Sequence, residues 1–130
     1  MSEEKRPELF VELVASVART TPVDGLMIGE GPLAETIDRK IVREGLAGIL
    51  SRCPFMPRED VRGAYAAADL LVLTSTVEGM PLVVLEALSM GCPVASTRVG
   101  NVARAAVPKD WLMKPPKKHC SWAKGYERLP

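Results

Sequence analysis

Glu78 and Glu86 flank the segment Gly79-Met80-Pro81-Leu82 and the apolar run that follows it, and Ser75 and Thr76 stand just ahead of the pair. The first backbone N–H groups of a helix have no internal partner and carry partial positive charge. A helix opening at Gly79 to Leu82 could therefore hold a phosphate or diphosphate on the amides of Gly79, Met80 and Leu82. Pro81 donates no such hydrogen. Gly79 lets the backbone approach a ligand that a side chain would keep away, and the hydroxyls of Ser75 and Thr76 can donate to the same anion. Carboxylates on a largely apolar helix are costly without a donor, and vicinal sugar or ribose hydroxyls are suitable donors for Glu78 and Glu86. The plainer alternative is that Glu78 only favours the positive helix end while Glu86 pairs with a neighbouring backbone or basic group. A second loop, Gly29-Glu30-Gly31, offers another close approach of backbone to ligand.

These loops need elements to hold them. Pro7 suits a first helical turn, and Leu9, Phe10, Leu13, Val14 and Val17 recur at spacings of three and four, which predicts an amphipathic helix ending near Thr20. Thr21, Pro22 and Asp24 break it, and Leu26, Met27 and Ile28 form a short strand that stops at Gly29. Pro32 opens a second helix with Leu33, Ile37 and Ile41 on its apolar side. A strand over roughly 48–51 follows, its end roughened by Arg52. An alanine-rich helix, Arg62 to Ala68, is closed by Asp69 and leads to Leu70 to Leu73, an unbroken apolar run that suits a parallel strand covered on both faces. Pro81 initiates the next helix and Gly91 stops it, and Val94 to Thr97 form a fourth strand. Helix and strand alternate from residue 7 to residue 97, so the expected class is α/β, a Rossmann-like parallel sheet flanked by helices with right-handed crossovers. Ligands of such sheets bind at the carboxyl ends of the strands, which is where both candidate loops fall.

Composition removes several classes. The chain has 130 residues, 17 Lys+Arg against 16 Asp+Glu, and a formal net charge of +1, which supplies no field to gather nucleic acid. Its apolar runs are too short for a membrane span, and Glu3 and Glu4 stand where a secretory signal would carry basic residues, so a cytoplasmic location is expected. Peripheral membrane association is not indicated by these residues. Cys53, Cys92 and Cys120 lack the spacing of a zinc site or redox pair and read as ordinary thiols. No metal cluster and no bound cofactor are expected. The expected domain division is 1–106 for the α/β unit and 107–130 for an irregular, basic, proline-containing tail. In that tail His119 reads as a solvent-exposed side chain, and Lys114, Lys117 and Lys118 with Trp111 and Trp122 read as a solubilising end.

The stretch Glu78-Gly-Met-Pro-Leu-Val-Val-Leu-Glu86-Ala-Leu-Ser-Met-Gly-Cys-Pro-Val resembles the E-x7-E signature of retaining glycosyltransferases of the GT-B fold, GT4-like, which have two Rossmann-like domains. Gly29-Glu-Gly-Pro32, Pro57-Arg-Glu-Asp-Val61, Tyr65-Ala-Ala-Ala-Asp69-Leu and Val99-Gly100 match that family in order and spacing over roughly residues 5–104. The resemblance implies the carboxyl-terminal, donor-binding half, with a UDP- or GDP-sugar as donor substrate and an acceptor the residues leave unspecified. It implies that Glu78 contacts hydroxyls of the transferred sugar and Glu86 those of the ribose. It also implies that the amides of Gly79, Met80 and Leu82 contact the sugar or diphosphate, that Gly29 shapes the pocket near the base, and that Lys5 neutralises the diphosphate as it leaves.

The departures are specific. The family's amino-terminal acceptor domain, first donor-domain strand and upstream arginine have no counterpart in these residues. The paired glycine near the sugar reads Gly100-Asn101, and Arg104 stands where an acidic residue is expected. The resemblance therefore implies a partial domain, with turnover belonging to a longer parent protein. Two other readings stand beside it. One is a structural or regulatory domain that kept the sheet and lost the chemistry. The other is an NAD(P)-binding oxidoreductase domain, because Gly29-x-Gly31-x-x-Ala34 imitates a dinucleotide fingerprint and Arg52 could favour a 2′-phosphate.

Overall fold

The computed structural model describes residues 1–79, 81–97 and 99. A short 3-10 turn, Glu3–Lys5, opens the chain. Arg6 leaves it with φ 46°, in the left-handed region that non-glycine residues avoid, and so aims the chain into α1, Pro7–Ala18. Then follow β1 (Gly25–Ile28), α2 (Ala34–Arg43), β2 (Leu50–Cys53), α3 (Arg58–Ala67), β3 (Leu71–Leu73), α4 (Leu82–Ser89) and β4 (Val94–Ser96). The α/β class with parallel strands flanked by helices is the one the alternation implies. Both strand pairs are parallel: β1 runs beside β2 from Gly25 against Leu50 to Ile28 against Cys53, and β3 runs beside β4 from Leu71 against Val94 to Leu73 against Ser96.

The sheet is in two parts, however, and so is the core. Val11 and Val14 of α1, Met27 of β1, Ile37 and Ile41 of α2, and Leu46 and Leu50 form one buried cluster. Tyr65 of α3, Val84 and Ala87 of α4, Cys92, Val94 and Val99 form another. The two clusters share no residue. Across them runs the amino-terminal segment: Met1 accepts a hydrogen bond from the Leu33 amide at 3.3 Å on the first half, and Glu4 accepts one from the Thr76 amide at 2.7 Å on the second. The Thr74 hydroxyl adds a bond to the Lys5 carbonyl at 2.7 Å.

Three boundaries and the burial of one strand differ notably from the sequence expectation. Pro32 and Leu33 form a turn, closed by the Ala34 amide on the Gly31 carbonyl at 3.0 Å, and α2 begins only at Ala34. The second strand lies two residues later than expected, with Arg52 inside it opposite Met27, because that side chain finds a carboxylate partner described below. The alanine-rich helix starts at Arg58, since Glu59 and Asp60 in its first turn suit the positive helix end. β3 is half-buried along its length instead of covered on both faces; among the described residues it pairs with β4 alone and keeps one edge open. Among the described residues no helix is long and apolar enough to cross a membrane. The proposed boundary at 106 and the segment 107–130, with Arg104, Trp111, Lys114, Lys117, Lys118, His119, Cys120 and Trp122, lie outside the described residues.

Because each half has its own core, a cavity in one should loosen that half first. Ile37→Ala, at a side chain with no solvent exposure, is expected to cost about 2–5 kcal/mol. Native-state amide exchange is expected to rise in β1 and β2 well before β3 and β4. Equal acceleration in all four strands would show a single cooperative core.

Candidate functional site

The site is built where β3 ends. Beyond Leu73 the chain turns through Thr74 and Ser75 to Glu78, and α4 opens after Pro81, whose backbone is extended. Glu78 is held on both sides. The Lys5 ammonium, 73 residues away in sequence, donates to its Oε1 at 2.6 Å, and the Ser75 hydroxyl donates to the same oxygen at 2.6 Å. Among the described residues no donor reaches Oε2. Glu78's side chain is only 11% exposed, whereas Lys5 is 53% exposed. Burial pulls the Glu78 carboxyl upward, but the hydrogen bonds from Lys5 and Ser75 and the Lys5 charge outweigh it and hold the group below its ordinary value.

This places the expected residues unequally. Lys5, Ser75 and Glu78 are brought together. Ser75 does so in a way the sequence did not suggest: it is 1% exposed and its proton is committed to Glu78, so it orients that carboxylate instead of reaching out to an anion. Thr76 likewise binds the Glu4 carbonyl, at 3.2 Å. Gly79 has open space where a Cβ would stand. Leu82 follows at the first position of α4, its side chain 67% exposed. Met80 lies outside the described residues.

Glu86 sits one turn further along α4 and is weakly held. Arg58 approaches its Oε1 at 3.5 Å and the Tyr65 hydroxyl its Oε2 at 3.5 Å, both long for strong bonds. The basic-neighbour alternative for Glu86 is thus present but loose. Glu86 lines a cavity of about 270 Å³ between α3 and α4, together with Arg58, Val61, Arg62, Ser89 and Met90. Glu78 is outside that lining. The two carboxylates therefore occupy different surroundings, one ahead of α4 and clamped beside the amino-terminal segment, the other within α4 and facing a groove with two arginines.

The glycine loop lies on the other half of the chain, against Met1. Gly29 and Gly31 have φ of 142° and 144°, a region open to glycine, and a Cβ on Gly31 would collide with the backbone of Met1. Arg52, at the end of β2, is 15% exposed and grips Asp38 of α2 through Nε at 2.6 Å and a terminal nitrogen at 2.7 Å, while also donating to the Gly29 carbonyl at 3.3 Å. The Arg52 side chain holds the Asp38 carboxyl below its ordinary range, chiefly by hydrogen bonding. An arginine already neutralised in this way is poorly suited to a 2′-phosphate, which weakens the part of the dinucleotide reading that Arg52 supplied. Arg52 was the residue sequence reasoning misjudged; its spacing from Asp38 on the preceding helix was the available signal.

Of the thiols, Cys92 is buried and Cys53 partly so, and both are free. Burial foremost pushes the Cys92 thiol up, which keeps it protonated and inert. Among the described residues no three His, Cys, Asp or Glu side chains gather as a metal site.

Acid should reveal the clamp. A carboxyl whose folded value is lowered contributes stability that is whole above its ordinary value of 4.5 and is lost as pH falls through the lower one. Glu78→Gln is expected to flatten the loss of the urea midpoint below that pH relative to the wild type. Parallel curves would mean that Glu78 is not held as described.

The sequence matches the group 1 glycosyl transferases over residues 1–129. It is 33% identical over 126 residues to the D-inositol 3-phosphate glycosyltransferase of Mycobacteroides abscessus, covering 92% of this chain and 28% of that protein. It is 32% identical over 104 residues to the sulfoquinovosyl transferase SQD2 of Arabidopsis thaliana, covering 79% of this chain and 19% of that one. The crystal structure of Anabaena HepE in complex with UDP and glucose superposes with a TM-score of 0.69 at 24% identity, over 80% of this chain and 29% of HepE. The chain thus spans between about a fifth and a third of the length of these relatives. The match over nearly every residue, on an α/β fold with its polar groups gathered at the strand ends, makes this chain a member of the group 1 glycosyl transferase family.

Proposed function

We propose that this chain is the donor-binding part of a retaining hexosyltransferase, taking a sugar from a UDP- or GDP-sugar to an acceptor held by parts of the protein beyond these residues. The observation that carries the reading is the meeting of Lys5 with Glu78 at the end of β3, because it sets a cation from the amino-terminal segment against a fixed carboxylate just ahead of the start of α4.

Each residue then has a task that follows from its surroundings. Glu78 keeps Oε2 for hydroxyls of the transferred sugar, while Ser75 fixes its rotamer through Oε1. The amides of Gly79, Met80 and Leu82 bind the sugar or diphosphate at the helix start. Glu86, loosely paired, exchanges Arg58 for the ribose hydroxyls. The groove beside it, about 270 Å³, is slightly below the usual range for a whole ligand pocket and has room for part of a nucleotide. Gly29 shapes the wall near the base. The HepE structure, with UDP and glucose bound on the same fold, supports a nucleotide and a sugar as the paired ligands.

Transfer with retention develops two charges. The sugar becomes oxocarbenium-like as its bond to the diphosphate breaks, and negative charge grows on the leaving diphosphate. Donors already fixed in place favour that change without reorganising. Lys5 supplies the cation: half-exposed and flexible enough to turn from Glu78 toward the phosphate, it stabilises the leaving group without a metal. No bound cofactor is required by this scheme.

Titration of the 130-residue chain with UDP-glucose and GDP-mannose, followed by amide resonances, tests this. Shifts are expected around residues 29–31, 74–79 and 82–86. Glu78→Ala and Glu86→Ala are each expected to weaken binding by about tenfold or more, the scale of a lost hydrogen bond to a charged group. Unchanged affinity in both variants would assign the fold a structural or regulatory role.

A further inference from the structure

We propose that Arg52 is a positioning residue for the nucleotide end of the site, acting through the glycine loop; this rests on the donor-binding reading above. Three groups from two segments converge on its guanidinium: Asp38 from α2 takes a two-pronged grip at 2.6 and 2.7 Å, and in the glycine loop Glu30 lies at 3.6 Å and the carbonyl of Gly29 accepts at 3.3 Å. The planar fork makes this arrangement possible, and a lysine, with one ammonium, cannot satisfy a carboxylate and a carbonyl with the same geometry.

The consequence lies in the peptide that follows Gly29. All described peptide bonds are trans, so the carbonyl of Gly29 and the N–H of Glu30 point in opposite directions across one plane. Fixing the carbonyl on Arg52 turns the Glu30 N–H away from Arg52. Gly29 is otherwise a residue of wide conformational freedom: at φ 142° it has no Cβ to limit it, and its own N–H is bound to the Cys53 carbonyl at 2.9 Å. The torsion between these two anchors is set by Arg52. Asp38 in turn prevents the guanidinium from swinging out to solvent. The loop's shape, and with it the wall offered to the nucleotide, is therefore specified from β2 and α2, by residues that touch no ligand.

The charge-swapped variant Asp38→Arg with Arg52→Asp separates positioning from simple stabilisation. It keeps an ion pair between α2 and β2 but leaves the Gly29 carbonyl without its donor. Its urea midpoint is expected to lie closer to wild type than that of Arg52→Asp alone. Its dissociation constant for UDP is nevertheless expected to rise by about fivefold, the scale of one hydrogen bond. In the ligand-free protein the Glu30 and Gly31 amide resonances are expected to shift, with faster backbone motion by nitrogen-15 relaxation. Arg52→Lys, a milder change, should give the same pattern with a smaller stability loss, which keeps the test open if the swap folds poorly. Wild-type amide positions and dynamics at Glu30 and Gly31 in both variants would overturn the proposal. So would shifted amides with unchanged UDP affinity, since the loop would then move without consequence for the ligand. Absence of UDP binding by the wild type is a separate result: it would remove the donor-binding reading and with it the role given to Arg52, whatever the loop amides do.

Discussion

The arrangement depends on a polar stitch between two apolar units. Each βα pair has buried its own side chains, Val11, Ile37 and Leu50 on one side and Val84, Ala87 and Val94 on the other, and these clusters share no residue. What relates them is backbone: Met1 bonded to the turn before α2, Glu4 and Lys5 bonded to Thr74 and Thr76 after β3. Hydrophobic burial is non-directional and would accept many relative placements of two small cores. Hydrogen bonds are directional, so the segment that spans them sets a geometry burial alone leaves loose. The residues with chemistry lie on that segment or beside its contacts, which is why fold and site cannot be separated here.

Charge placement follows the same division. The Lys5 and Glu78 pair is asymmetric: the carboxylate is nearly enclosed and the ammonium half in water. With its ammonium half in water, such a pair adds only modestly to stability, since solvent screens it and ordering a long lysine side chain has an entropic cost. Its value is orientation. With Ser75 on the same oxygen, Glu78 has one rotamer and one free acceptor edge. Arg52 and Asp38 repeat the device at the other loop with a two-pronged grip. Both strand ends are thus held by a charge pair in which one partner is enclosed and the other reaches back from a different element.

Much of the fold was legible because its signal is local. The stripe of Leu33, Ile37 and Ile41, the apolar run ending at Leu73 and the glycines after β1 each fix an element within a few residues of sequence. The shift of β2 came from treating a charge as a strand end; a guanidinium with a carboxylate across the sheet face can lie well within a strand. The half-burial of β3 was unreadable because an apolar run reports the faces of a strand and says nothing of its edges. For the candidate site, residue types and positions could be named from sequence, but their contacts could not. No periodicity links Lys5 to Glu78, and only the family resemblance put them in one place. Ser75 was assigned to a ligand because its own carboxylate partner, three residues on, was counted as an independent group.

In the donor-binding reading, a donor meets side chains that already have partners within the chain. Lys5 is paired with Glu78, and Glu86 loosely with Arg58, so a nucleotide sugar exchanges partners at Lys5 and Glu86 and adds one at the Oε2 of Glu78. An unpaired carboxylate of low exposure would cost free energy in the empty protein. A permanently paired one would be useless to a substrate. The difference between the pairs is then meaningful: Glu78, clamped at 2.6 Å on one oxygen only, can keep its clamp while accepting a sugar hydroxyl on the other. Glu86, held at 3.5 Å on both, must give up contacts that were weak to begin with. Binding at the ribose end is accordingly the easier exchange. Release of Lys5 toward the diphosphate is the harder one, and it becomes favourable only as charge accumulates on the leaving group, which is when a catalyst has use for it.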